Sequence, residues 1–327
     1  MVARSVYSIA SRCCLYIDYF KSCLVHANIA TVTYLKIFKQ ILKMQQSILQ
    51  KFYFILKVNV KGVSMFNKKN QKKEKIEKQL AGLKKFNFVM AAFHGVQATA
   101  IIMLSKSFSL PISGNYLSFN EQSKALEPAV SNLFSLSLPI LITLFLLLSS
   151  AAHLFIATIY NKRYSADLKK GMNRVRWFEY SLSASTMMVA IALLVGIYDL
   201  VTLVSIFSLV AIMNLLGLVM EVHNQTTKKT NWLSYWIGCL AGLVPWLAIA
   251  FYFWLSADNG SSAPTFVYWI FVSIFVFFNC FAINMVLQYK KIGPWKDYIF
   301  GERAYIILSL VAKSLLAWQV FAGTLRP

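Results

Sequence analysis

The apolar residues of this chain are gathered into long, nearly unbroken runs, and charged residues are confined to the gaps between them. Seven runs are long enough to cross a hydrocarbon core of about 30 Å, which takes roughly 20 helical residues. They lie near 86–106, 133–160, 170–198, 201–222, 233–256, 265–288 and 302–324. Lipid offers no partner to a backbone N–H or C=O, so each run must close its hydrogen bonds internally as a helix. Pro139 and Pro245 fall inside runs, where the pattern predicts a bend rather than a break. No alternating strand pattern stands out, which excludes a β-barrel. The predicted fold is an all-α membrane protein, a bundle of seven transmembrane helices.

Composition sharpens this. Of the 327 residues 58% are hydrophobic and only 14% charged, which a soluble domain seldom combines. The net charge of +21 raises nucleic acid as a partner, but its placement argues against that. The cations crowd the first 85 residues and alternate loops: Lys162, Arg163, Lys169 and Lys170 after the second run, Lys228 and Lys229 after the fourth, Lys290 and Lys291 after the sixth. The other side offers only Lys106, Lys124 and Arg326 near the membrane. Short cytoplasmic loops carry the excess of Lys and Arg. The N-terminus is therefore predicted inside and the C-terminus outside, opposite to most seven-helix proteins. Cys13, Cys14, Cys23, Cys239 and Cys280 are odd in number and suggest no disulfide framework.

Lys313 is the sharpest feature, about ten residues from either end of the last run. A charge at that depth costs about 2.5–3.5 kcal/mol on insertion scales, and it marks a functional site by default. A lysine amine condenses with an aldehyde to a Schiff base, which accounts for its position better than snorkelling does. A cation there needs an anion, and at about 4 Å with an effective dielectric near 20 the attraction is roughly 4 kcal/mol. Glu179 in the third run is the candidate. Arg176, at i, i+3 from Glu179, is placed to meet it on one helix face. For Glu179 to reach the depth of Lys313, the third helix is expected to begin near Asp167–Lys170. His94 in the first run and His153 in the second, four residues after Ser149, suggest a polar cavity for water and protons. No further ligands cluster at metal-binding spacing.

Two segments carry a family resemblance. Asn173-x-x-Arg176-Trp177-x-Glu179-Tyr180-Ser181-x-Ser183 resembles the third-helix signature of heliorhodopsins. Tyr305-Ile306-x-Leu308-Ser309-Leu310-x-Ala312-Lys313-x-x-Leu316-Ala317-Trp318 resembles their seventh helix, and Phe86-Asn87 with His94 their first. The likeness covers about residues 83–325. It implies all-trans retinal on Lys313, Glu179 as counterion and Ser309 beside the Schiff base. It also implies His94 and His153 in a polar cavity, inverted orientation and homodimers. Along the polyene the pocket is expected to be apolar, with Met213, Asn214, Gly217 and Phe278 as candidate walls.

Residues 1–82 lie outside the resemblance as a basic extension, with the retinal-binding bundle at 83–327. From Tyr34 to Leu56 apolar residues recur at helical spacing among lysines, which reads as an interfacial helix on an anionic leaflet. The acid-free start resembles a transit peptide weakly, and translation from Met65 is a third reading.

The expected function is light sensing through an unidentified signalling partner, not enzymatic catalysis. The alternative is a light-driven or light-gated ion transporter. A pump needs proton groups on both sides of the Schiff base, yet Ala190 stands three turns beyond Glu179 where a donor carboxylate would fit. Ser309 likewise replaces a second counterion, whereas Glu221 near the inner end of the fourth helix leaves a passive proton path open. A hormone-type receptor or lipid enzyme fits neither the orientation nor the residues.

Overall fold

The computed structural model describes residues 68–260 and 263–326. The helix expected over 34–56 and the transit-like start lie outside them. The described chain contains seven helices long and apolar enough to cross a membrane. In chain order the elements are α1 (Lys68–Leu104), strands β1 (Ser109–Asn120) and β2 (Ala125–Ser137), α2 (Leu138–Ala157) and a short α3 (Asn161–Lys169). There follow α4 (Arg174–Leu194), α5 (Leu200–His223), α6 (Leu233–Asp258), α7 (Thr265–Tyr289) and α8 (Tyr298–Val320). A 3-10 turn at Gly293–Lys296 leads into α8, and a π turn at Phe321–Leu325 continues it. The protein is thus an integral, multi-pass membrane protein.

α4 is the most enclosed span, with 72% of its apolar window buried against 22% for α7. It packs between α2 and α5. Its face from Met187 to Leu193 joins Ile142 and Phe145 of α2, Ile206 and Val210 of α5 and Leu316 of α8 in one apolar core. Outward positions such as Phe93, Leu147, Leu240 and Phe251 stay exposed, as lipid-facing side chains do.

Four expectations need correction. First, α1 starts at Lys68, not near 86. Ile76, Leu80 and Leu83 recur at helical spacing and pack on Tyr164, Leu168 and Ile299, so the helix continues past the apolar run. Second, α4 starts at Arg174, not near Asp167–Lys170. Gly171 takes φ +76° and breaks the chain there, and the Asn173 side chain caps α4 by accepting from the Arg176 N–H.

Third, residues 109–137 form an antiparallel hairpin whose base, at Leu110, Ile112 and Leu136, packs on the apolar core. Its alternation, with Leu117 and Phe119 facing Pro128 and Leu126, is offset by a bulge at Ile112/Ser113. Pro111, Gly114 and Pro128 make the segment read as loop. The hairpin is tied to the bundle by Ser113 N donating to Tyr198 O at 2.9 Å and by Asn115 donating to Asp199. The Thr202 N–H, which Asp199 caps, holds that carboxyl below the usual range. Fourth, the strand runs to Ser137, so Pro139 sits in the first turn of α2, where its missing N–H disturbs nothing. Pro245 does lie inside α6.

Candidate functional site

Lys313 lies fifteen residues into α8 and Glu179 only five into α4, yet they meet. Helical side chains lean toward the N-terminus. The Lys313 amine therefore drops back one turn, where Nζ donates to Ser309 Oγ at 2.8 Å and to Glu179 Oε1 at 2.8 Å. The two charged side chains are 4% and 9% exposed. Ser149 of α2 donates to the same carboxylate oxygen at 2.7 Å, so α2, α4 and α8 converge on one point. The ammonium also lies 5.1 Å from the centre of the Tyr180 ring, within cation–π range.

The histidines adjoin this centre. His153, one turn after Ser149, has Nδ1 2.7 Å from Asn87 Oδ1, and Asn87 Nδ2 donates to Leu83 O. With an oxygen as partner, Nδ1 of the neutral ring carries the proton. His94 stacks on His153 with ring centroids 5.7 Å apart and an interplanar angle of 8°. Both ring nitrogens of His94 are buried without a hydrogen-bond partner. Buried polar atoms of this kind are ordinarily satisfied by ordered water. Among the described residues no group of three metal ligands exists.

Arg176 does not join Glu179, although both lie on α4. Its guanidinium leans toward the helix start and pairs with Glu221 of α5 and Glu302 of α8, both buried. Asn173 closes the cluster: its N–H donates to Glu221 and its amide to Glu302. Trp177, Tyr298 and Tyr164 add donors to the two carboxylates at 2.7, 2.9 and 3.0 Å. The rings of Trp177 and Tyr305, edge to face with one another, both border the cation, at 4.9 and 4.0 Å. Arg176 and Glu221 thus belong to a second polar cluster nearer the helix ends, not to the surroundings of Lys313. Glu302 was not singled out from the sequence, because an acid opening an apolar run reads as a solvated helix end. Asn173-x-x-Arg176 with buried acids at two other helix ends was the available signal.

Next to Lys313 lies an apolar cavity of about 50 Å³. Its walls are Tyr180, Ala184 and Met187 of α4, Met213 and Asn214 of α5, Phe278 and Phe281 of α7, and Ser309 and Ala312 of α8. Met213, Asn214 and Phe278, the candidate walls named from the sequence, are among the residues lining it. Gly217 is not: a Cβ there would lie 2.4 Å from the Trp177 ring, so this glycine seats the indole flat on α5. The α4 walls escaped notice although Tyr180, Ala184 and Met187 recur at i, i+4, i+7 beside Glu179. The apolar lining, with a single amine at its edge, suits the attachment of an apolar prosthetic group such as retinal.

The sequence model of the heliorhodopsin family matches residues 83–325. No curated protein matches the chain by sequence. Among solved structures, a light-driven proton pump from Leptosphaeria maculans is similar, with a TM-score of 0.51 and 14% identity over 75% of this chain and 93% of that one. A cyanorhodopsin from the cyanobacterium Tolypothrix sp. NIES-4075 has a TM-score of 0.50 and 14% identity over 75% and 94%. These two likenesses concern the fold. The family match covers far more than half of the chain, spans every helix of the bundle, and implies a retinal chromophore. The chain belongs to the heliorhodopsin family.

Proposed function

We propose that the protein is a light sensor holding all-trans retinal on Lys313, with Glu179 as the counterion and the N-terminus in the cytoplasm. The observation that carries this reading is the contact of one buried amine with one buried carboxylate at the edge of an apolar cavity. Bound retinal supplies absorption of visible light and a change of shape on isomerisation. Lys313 anchors it, Ser309 orients the attached nitrogen, and Ser149 holds the Glu179 carboxylate on its far side. The stacked His94 and His153 offer a nearby place for a proton and its water.

Sensing is favoured over transport by what lies on either side of the site. Outward, α4 offers only apolar buried side chains from Met187 to Leu193, Ala190 among them. Inward, Arg176 ties α4, α5 and α8 together through Glu221 and Glu302. Orientation is supported by the cations of α3 and of the α5–α6 and α7–α8 loops, which share the end of the bundle where α1 begins.

Three outcomes follow. Under voltage clamp, cells expressing the pigment show no photocurrent above background; a steady or transient current that scales with light would establish the transport reading instead. A tag after Pro327 on intact cells is reached by an impermeant label from outside; labelling only after permeabilisation would reverse the orientation. Glu179→Gln deletes the one carboxylate that touches the amine among the described residues, worth on the order of 4–6 kcal/mol at 2.8 Å with an effective dielectric near 20. The visible band then moves to the near ultraviolet at neutral pH, or moves to the red and depends on chloride if an anion replaces the carboxylate. An unchanged spectrum across salt conditions would place the counterion elsewhere.

A further inference from the structure

The cavity wall has a support behind it that no side chain provides. Met213 forms part of the wall on α5, and α6 passes behind it. There α6 carries Gly238-Cys239-Leu240-Ala241-Gly242, two small residues one turn apart, the spacing that lets helix backbones approach closely in a membrane. A Cβ at Gly238 would touch the Met213 carbonyl oxygen at 3.5 Å, an ordinary contact. A Cβ at Gly242 would lie 2.3 Å from Met213 Sδ and 3.3 Å from Cγ, which no real atom tolerates. The thioether occupies the notch that the missing side chain leaves. One turn further along α6, Trp246 packs edge-on against Phe278, another wall residue, at 5.4 Å between ring centroids.

We propose that Gly242 sets the size of the retinal cavity by giving the Met213 side chain a place outside it, and so determines which ring-bearing polyene aldehydes fit. The inference rests on the retinal reading above. Met213 has three rotatable side-chain bonds and a soft sulfur, so a methyl group at Gly242 displaces the thioether before it displaces the helix. The open space beside Met213 is the cavity itself, so displaced atoms go into the volume the chromophore needs. Gly242 never touches the chromophore; it acts as a positioning residue through Met213. One methylene in an apolar pocket changes selection by about ten- to two-hundred-fold.

The test reconstitutes the full chain with all-trans retinal and with an analogue lacking the ring methyl groups. It follows the rate of pigment formation, the absorption maximum, and the melting of the retinal-free protein. Gly242→Ala is expected to slow uptake of all-trans retinal at least about ten-fold and to shift its absorption maximum. The smaller analogue is taken up nearly as by the unaltered chain, and the retinal-free melting temperature stays the same. Gly242→Ala combined with Met213→Ala restores uptake. Met213→Ala alone, which keeps the native glycine, admits an analogue with a bulkier ring that the unaltered chain rejects. Unchanged uptake and colour in Gly242→Ala would overturn the proposal, as would a defect that Met213→Ala fails to relieve. So would rejection of the bulky analogue by Met213→Ala. If the unaltered chain forms no pigment at all, the retinal reading falls and takes this inference with it.

Discussion

An ammonium group buried in the middle of a membrane bundle has to be neutralised where it stands, and most of this structure follows from how Lys313 is matched. Removing each ion from water carries a penalty of several kcal/mol, which a single contact barely offsets unless the remaining hydrogen-bonding positions are filled as well. Ser149 and Ser309 fill them, one on the carboxylate and one on the amine. That requirement draws α2, α4 and α8 to a common point and makes α4, bearer of the carboxylate, the most enclosed helix. The cavity opens beside the pair, so a group attached to the amine extends into apolar surroundings while its charge stays at the polar edge.

The Arg176 cluster solves a similar problem by different means. One cation meets two carboxylates, and further hydrogen bonds and ring contacts from Asn173, Trp177, Tyr164, Tyr298 and Tyr305 surround the three charges. Breaking such a buried set typically costs about 3–5 kcal/mol, because it strands a charge rather than removing a bond. The cluster fixes where α4 begins and how it sits against α5 and α8. The Arg176 guanidinium and the Glu179 carboxylate therefore leave the same helix in different directions, Arg176 toward the ends of α5 and α8 and Glu179 toward Lys313.

Seven spans were legible in the sequence because lipid permits only one answer to a long apolar run, and Lys313 and Glu179 stood out because charged side chains inside such runs need partners; Ser309 entered through the family resemblance, and Ser149 was read with the histidines rather than with Glu179. The hairpin was not legible, since a bulge shifts its alternation by one residue and its prolines and glycine mimic a loop. The start of α4 differs from the expectation because backbone rise alone sets Lys313 a turn further along than its amine, which leans back to Ser309. Gly217 and Gly242 show a limit of another kind. Each works by what is missing, and only the neighbour that enters the gap, Trp177 or Met213, shows it.

The proposed function requires the chromophore to be attached at Lys313 and nowhere else. Reducing the reconstituted pigment with borohydride converts a retinal–lysine linkage to a stable secondary amine, and peptide mass analysis then locates the retinyl group. With Lys313 as the attachment point, that group appears on the α8 peptide containing Lys313, with none on the many lysines outside the spans. A retinyl group on any other lysine, with Lys313 unmodified, would contradict it.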